Sequence, residues 1–485
     1  MQKNKNRPGY KKTKVGWIPS EWTSCLGRDI AALITKGSSP NWQGFDYQSY
    51  GVLFVTSENV RDGFLDVSDP KFLPLAFNEK LKHSQLADGD ILINIVGASI
   101  GRVCAYQDTG LPANVNQAVC VFRCRTNVCG GFVLAFLQTA VGRSRLLSSQ
   151  VESARPNVSL TDVRQLPIPL PSLPEQKAIA EILECWDKAI RNYEKKIGKK
   201  RNIKKGLMQR LLAPPNAGQA GKQRLPGFPG KWKKVKFGDV FSFLKTYALS
   251  REQLTTDPSG GCDIYNIHYG DLHATYDGCV LDCAKEKRIP RIKNSPDCPS
   301  DAVFLKEGDL IIADASEDYE GVCACVELCN VGKMKITGGL HTFVARDTTM
   351  QTTNGYRGYI LRERSFSSEL KRIAAGVSVY SASKSNLAKI TFYLPTIQEQ
   401  AATVSILSAA DAEITALERK LAALQAQKCF LLNNLVTGSL RLPEFAGGCE
   451  GGKERGARQA SQGKRERGEA GLARTTRRMN ERESI

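Results

Sequence analysis

The sequence predicts an α+β protein: two pseudo-repeated mixed α/β domains, each followed by a long helix. Three observations predict it. A long apolar seam runs through residues 173–212. A second seam in the same frame opens 224 residues later, counting from Ser172 to Thr396. Short motifs elsewhere in the chain occur twice, in the same order.

The first seam is found by stepping alternately by four and three from Ile179. The steps reach Leu183, Trp186, Ile190, Tyr193, Ile197, Lys200, Lys204, Leu207 and Leu211, so eight of ten positions are apolar, the pattern of a coiled-coil helix. Ser172-Leu-Pro-Glu175 has the spacing of a capping box, in which the Ser hydroxyl takes an orphan N–H and the Glu reaches back. Pro174 is tolerated in a first turn. About 40 helical residues span on the order of 60 Å, more than one compact domain needs. The second copy opens at Thr396-Ile-Gln-Glu399 and continues through Thr403, Leu407, Ala410, Ile414, Leu417, Leu421, Leu424, Lys428, Leu431 and Leu435. Both openings carry a Glu-Gln pair, Glu175-Gln176 and Glu399-Gln400. Both place an Asp three residues before an Ile, Asp187 and Asp411. Two stripes of one register supply each other's partner, so the chain is not expected to homodimerise. Lys200 and Lys204 interrupt the first seam. There the helix is expected to meet an incoming subunit or DNA rather than its twin.

A chain of 485 residues can hold two or three domains with cores of their own. Its 41% hydrophobic and 24% charged residues are ordinary for globular protein. A net charge of +19 with pI near 9.3 points to a polyanionic partner, nucleic acid first. There is no apolar run of membrane-spanning length. The basic start, residues 1–17, lacks the apolar stretch of a secretory signal, so the expected location is cytoplasmic and the fifteen cysteines read as reduced thiols. Cys120, Cys124 and Cys129, and Cys323, Cys325 and Cys329, are the nearest approaches to ligand spacing. With four histidines in the chain, buried structural thiols are the reading and no metal is expected.

In order, residues 1–14 read as a basic arm, 15–171 as the first domain, 172–212 as the first helix and 213–224 as a Pro/Gly linker. Residues 225–394 read as the second domain, 395–437 as the second helix and 438–485 as a disordered basic tail. Within the domains, Trp17-Ile-Pro-Ser-Glu-Trp22 is echoed by Gly227-Phe-Pro-Gly-Lys-Trp232. Leu86-Ala-Asp-Gly-Asp90-Ile-Leu-Ile is echoed by Leu305-Lys-Glu-Gly-Asp309-Leu-Ile-Ile, an acidic turn feeding a strand. Gly101-Arg-Val-Cys-Ala105 matches Gly321-Val-Cys-Ala324. Asn114-Val-Asn-Gln117 matches Thr337-Gly-Gly-Leu-His341 as loop into strand. Arg224-Leu-Pro-Gly-Phe228 returns as Arg441-Leu-Pro-Glu-Phe445 after the second helix. This third start suggests that the end of the chain lies near the beginning of the first domain.

No phosphate-binding loop, dinucleotide fingerprint, zinc-protease motif or serine elbow is present, nor the Asn/Asp-Pro-Pro-aromatic loop of adenine methyltransferases. Asp314-Ala-Ser-Glu317-Asp318-Tyr-Glu320 could hold Mg²⁺ for phosphodiester hydrolysis. The matching first-half loop, Asn94 to Gly101, has no carboxylate. Two alternatives are therefore carried: a Mg-dependent nuclease using loop 314–320, and a coiled-coil scaffold with degenerate DNA-binding domains.

The layout resembles the specificity subunit of type I restriction–modification systems. The resemblance is carried by Pro169-Leu-Pro-Ser-Leu-Pro-Glu-Gln176 and Leu394-Pro-Thr-Ile-Gln-Glu-Gln400. Lys11-Lys-Thr-Lys-Val-Gly-Trp-Ile-Pro19, Lys204-Lys-Gly-Leu-Met-Gln-Arg-Leu-Leu212 and Asn433-Asn-Leu-Val-Thr-Gly438 support it. It covers about residues 15–445 and implies two target recognition domains, each reading half of a bipartite DNA target. It also implies that the helices pair as an antiparallel coiled coil, which sets the spacing and docks two modification (methyltransferase) subunits, with restriction subunits joining. Glu175, Gln176, Glu399 and Gln400 become the docking candidates. The chain itself would be non-catalytic and bind no cofactor, with S-adenosylmethionine, ATP and Mg on the partners. Residues 174–212 hold eleven Lys/Arg against five Asp/Glu, and residues 398–437 three against four.

Base readout is expected in loops at equivalent places. In the first domain these offer Lys36, Ser38, Ser99, Arg102, Asn114, Asn116, Gln117, Arg155 and Asn157. In the second they offer Tyr247, His268, Asp271, His273, Ser316, Tyr319, His341, Tyr380 and Lys384. Asn and Gln suit adenine, Arg suits guanine, and Ser suits either. The competing role for each is to cap or turn its own backbone.

Overall fold

The computed structural model describes residues 7–148, 157–214, 224–257, 260–276, 278–316, 324–373 and 380–446. The chain divides into two compact units, Met1–Lys188 with Ala426–Ile485, and Ala189–Gln425. Each long helix (Leu173–Leu211 and Ile397–Leu435) therefore contributes one end to each unit. No described helix is long and apolar enough to cross a membrane.

The two units repeat one frame. In the first, the main sheet runs Ala31–Lys36, Val119–Cys124, Ile91–Asn94, Val103–Ala105. In the second it runs Phe241–Leu244, Thr342–Asp347, Leu310–Ala313, Cys325–Cys329, with Val280–Asp282 added at the edge. Each unit has a smaller sheet containing one parallel pair: Val52–Val55 with Ala113–Val115, and Ile264–Ile267 with Lys335–Gly338. The echoed acidic turns feed Ile91–Asn94 and Leu310–Ala313. Gly89 and Gly308 both adopt φ of +80° there, a conformation that glycine takes without a Cβ clash. The next residue of each turn is buried and pairs with a central-strand arginine. Asp90 Oδ1 accepts from Arg123 Nε at 2.7 Å, and Asp309 Oδ1 from Arg346 Nε at 2.8 Å. These pairs align the halves residue by residue.

All ten predicted positions of each seam are buried or half-buried. The structure corrects the reading of the seam lysines. In the second unit Lys200 pairs with Glu413 at 2.7 Å, and Lys204 Nζ meets Oδ1 of Asp411, whose Oδ2 accepts from Tyr359 Oη at 2.9 Å. Arg201 pairs with Glu418, and Lys420 lies over the Tyr193 ring. Rising numbers on one helix meet falling numbers on the other, so the pairing is antiparallel. In the first unit Lys428 binds Asp187 at 2.6 Å. This is the Lys204–Asp411 pair shifted by the repeat. The lysines face the twin helix because its carboxylates are there.

The capping-box glutamates are also corrected. Glu175 and Glu399 are buried, 2% and 1% exposed, and turn away from their own helix ends. Glu175 accepts from Trp22 Nε1 at 3.2 Å and Arg441 Nε at 2.7 Å. Glu399 accepts from Trp232 Nε1 at 3.1 Å and Arg224 Nε at 2.6 Å. In each latch the guanidinium lies over the indole. The neighbouring glutamines are buried too. Gln176 accepts from the Cys129 amide and donates to Pro171 O; Gln400 accepts from the Thr353 amide and donates to Pro395 O. All four proposed docking residues are thus occupied inside the chain. A buried carboxylate requires a cation and donors, and the arginine of each repeated Arg-Leu-Pro provides them. Burial raises the Glu175 pKa, while Arg441 and Trp22 pull it back.

Two end segments differ from expectation. Tyr10–Thr13, expected within a loose arm, pairs with Gly16–Pro19, and Tyr10 Oη donates to Gly438 O at 2.9 Å. Residues 438–446, expected as tail, are docked through Arg441 and close with a turn at Pro443–Phe445. The rest of the tail and most of the 213–224 linker lie outside the described residues.

Candidate nucleic-acid interface

In the first domain the expected readout residues separate by what their side chains already hold. Ser99 and Arg102 line a cleft of about 560 Å³ with Ser57, Asn59, Arg61 and Lys71. Ser99 Oγ accepts from Asn94 Nδ2 at 3.0 Å. Arg61 and Lys71 were not among the expected residues; the Arg61-Asp-Gly63 turn is the signal that could have found them. Lys36 is exposed at its strand end, and Asn157 is exposed beside Val96. Ser38 accepts from Gln43, and Asn116 caps its own turn by accepting from the Ala118 amide at 3.0 Å. Gln117 is half-buried, with Oε1 unpartnered. Asn114 is a correction. It is fully buried, donating to Leu81 O and Ser84 Oγ and accepting from Asn78, so it ties strand to helix. Arg155 lies outside the described residues.

In the second domain three of the four histidines gather around Tyr269. The His268, His273 and His341 rings lie 4.5, 6.1 and 5.3 Å from it, centroid to centroid. His268 caps the helix Tyr269–Ala274 by accepting from the Gly270 amide, and burial lowers its pKa. His273 Nε2 is 3.0 Å from Ala315 O. His341 is exposed, and its Nδ1 is 3.1 Å from Asp314 Oδ1. Lys384 is exposed with its ammonium over Phe243 and Phe343, and Tyr380 pairs in a short strand with Ser316. Three more corrections belong here. Tyr247 is buried, donating to Asp301 O and accepting from the Val303 amide. Asp271 is buried and bound to Arg251 at 2.8 Å. Ser316 is buried on its strand. A polar residue beside a loop is as useful for closing a backbone as for reaching out, and Tyr247 and Asp271 do the former. Tyr319 and the carboxylates 317–320 lie outside the described residues.

Among the described residues no group of His, Cys, Asp and Glu is arranged to hold a metal. Among the described cysteines Cys104, Cys120, Cys279, Cys283 and Cys325 are buried, which raises the pKa of each thiol, to about 12 for Cys104, Cys120, Cys283 and Cys325.

Residues 19–200 and 229–426 match the family model of the type I restriction modification DNA specificity domain. The chain belongs to this family. It is the specificity subunit of a type I restriction–modification system. It is 22% identical over 441 residues to a putative type I restriction enzyme MjaX specificity subunit from Methanocaldococcus jannaschii, covering 89% of this chain and 97% of the relative. It is 21% identical to the MjaVIII specificity subunit of the same organism, covering 88% and 94%. A solved chain from a study of complex assembly and conformational transition of the type I R-M system superposes with a TM-score of 0.53 at 17% identity. That match covers 87% of this chain and 99% of the other, and shows the shared fold. Within this specificity subunit the two matched stretches fall on the two copies of the frame.

Proposed function

We propose that each domain of this specificity subunit reads one half of a bipartite, asymmetric DNA target, and that the paired helices fix the distance between the halves. The observation that carries this is the repetition of one buried frame with unlike polar loops on it. A protein reading two different half-sites needs one scaffold and two sets of base contacts. The partners on this reading are double-stranded DNA, two methyltransferase subunits and the restriction subunits. The chain supplies no catalysis, and S-adenosylmethionine, ATP and Mg act on those partners. Outward helix faces, rather than the buried Glu-Gln pairs, dock them.

Methylation mapping of cells with and without the gene tests the reading. One bipartite adenine-methylated motif is expected to vanish on deletion; if none does, the reading fails. Four residues inserted into the helix Leu173–Leu211, about one turn, are expected to change the gap while leaving both half-site sequences intact.

A further inference from the structure

We propose that the His341–Asp314 pair is a base-reading element of the second domain, with His341 Nε2 accepting from the exocyclic amino group of an adenine or cytosine. The proposal rests on the DNA-reading role above and assigns one of its contacts.

The repeat isolates this pair. The Asp90–Arg123 and Asp309–Arg346 bridges align the central strands, and strand registers extend the alignment to the turn before each. At that turn one backbone hydrogen bond is kept: Ile95 N to Ala118 O at 2.9 Å, and Asp314 N to His341 O at 3.1 Å. His341 thus stands where the first domain has Ala118, and Asp314 where it has Ile95. The backbone needs neither side chain, since the first domain makes the same bond without them.

The pair is built to point. The His341 side chain is 52% exposed and Asp314 23%. A carboxylate can only accept, so Nδ1 donates to it, and in the neutral form of an imidazole so held the lone pair is on Nε2. Tyr269 stands edge-on to the ring, 5.3 Å away with planes at 82°, which restricts its rotation. His341 also holds φ of +53°, a conformation uncommon for a residue with a Cβ. An acceptor held at an exposed turn complements adenine N6 or cytosine N4, the amino donors of the major groove.

The test uses the assembled methyltransferase complex and double-stranded oligonucleotides carrying the motif read from methylation mapping, with each base pair of both half-sites replaced in turn. Wild type is expected to discriminate about tenfold at one adenine or cytosine of the second half-site. His341→Gly suits the positive φ and is expected to bring that factor close to one, leaving every other position unchanged. Asp314→Leu frees the ring and is expected to lower the same factor. Asp314→Asn, whose Oδ1 still accepts from Nδ1, is expected to retain it. The proposal is overturned if the His341→Gly profile matches wild type, if discrimination falls evenly across both half-sites, or if the affected base is guanine or thymine. An unchanged profile in Asp314→Leu removes the positioning role. A wild-type complex without any sequence preference would instead sink the wider DNA-reading proposal.

Discussion

The Trp22–Glu175–Arg441 and Trp232–Glu399–Arg224 latches hold the same three groups, but the chain reaches them by different routes. Arg441 arrives 266 residues after its glutamate, and Arg224 lies 175 residues before its own. Loop-closure entropy grows only as (3/2)RT ln n, so the routes differ by a few tenths of a kcal/mol. Local geometry therefore decides their strength. Arg441 gains Glu21 as a second partner, and Arg224 gains Gly230 O. The equality can be broken experimentally. Arg441→Ala and Arg224→Ala each strand a carboxylate that is at most 3% exposed, which costs about 3–5 kcal/mol. Hydrogen exchange is expected to show each loss confined to its own unit. Truncation after residue 437 should mimic Arg441→Ala. A cost under about 1 kcal/mol for Arg441→Ala would mean that the C-terminal copy frays where the internal one does not.

The latches also mark what the sequence made legible. The repeated Arg-Leu-Pro, the paired tryptophans and the two seams are linear patterns, and each fell where an apolar or charged period demanded. The partners of Glu175 are not legible, because its spacing from Ser172 is a local signal while they lie 153 and 266 residues away. The same holds for Lys200 and Lys204: a lysine in a seam looks like an interruption until the facing carboxylate is located. Asn114 and Tyr247 could not be separated from Gln117 and His341 by residue type. What separates them is whether the polar atoms are already consumed inside the domain, and no periodicity encodes that.

Glu327 offers the next contrast. It occupies the strand position of Ala105 in the first unit, by the pairing of each with Leu310 and Ile91. Its carboxylate is 1% exposed, accepts from the Gly355 and Gly358 amides, and is pushed up to about 7 by burial. A carboxyl with a raised folded pKa binds its proton more tightly in the folded state, so its stabilising effect is full below about 4.5. That effect is lost as pH rises through about 7. Through Glu327 the second unit is expected to lose about 3 kcal/mol across this window. Urea unfolding followed at several pH values checks it, and Glu327→Gln should flatten the slope. An unchanged slope in that variant would assign the titration to another group.

The smallest contrast lies in the seam. Asp187 and Asp411 are equivalent and each holds a lysine of the facing helix, but only Asp411 also accepts from Tyr359 Oη, and Lys204 lies 5.9 Å from that ring. Asp187→Ala removes one half-buried pair, whose lysine can swing toward water along its flexible stem. Asp411→Ala removes the same pair and strands a tyrosine hydroxyl in a residue only 2% exposed. The second substitution is therefore expected to cost about 1 kcal/mol more than the first, and Tyr359→Phe in the Asp411→Ala background to recover most of that difference. Because the lysine term is common to both sites, the difference isolates the hydroxyl. Equal costs for the two aspartates would show that the Tyr359 bond is no stronger than the water it replaces.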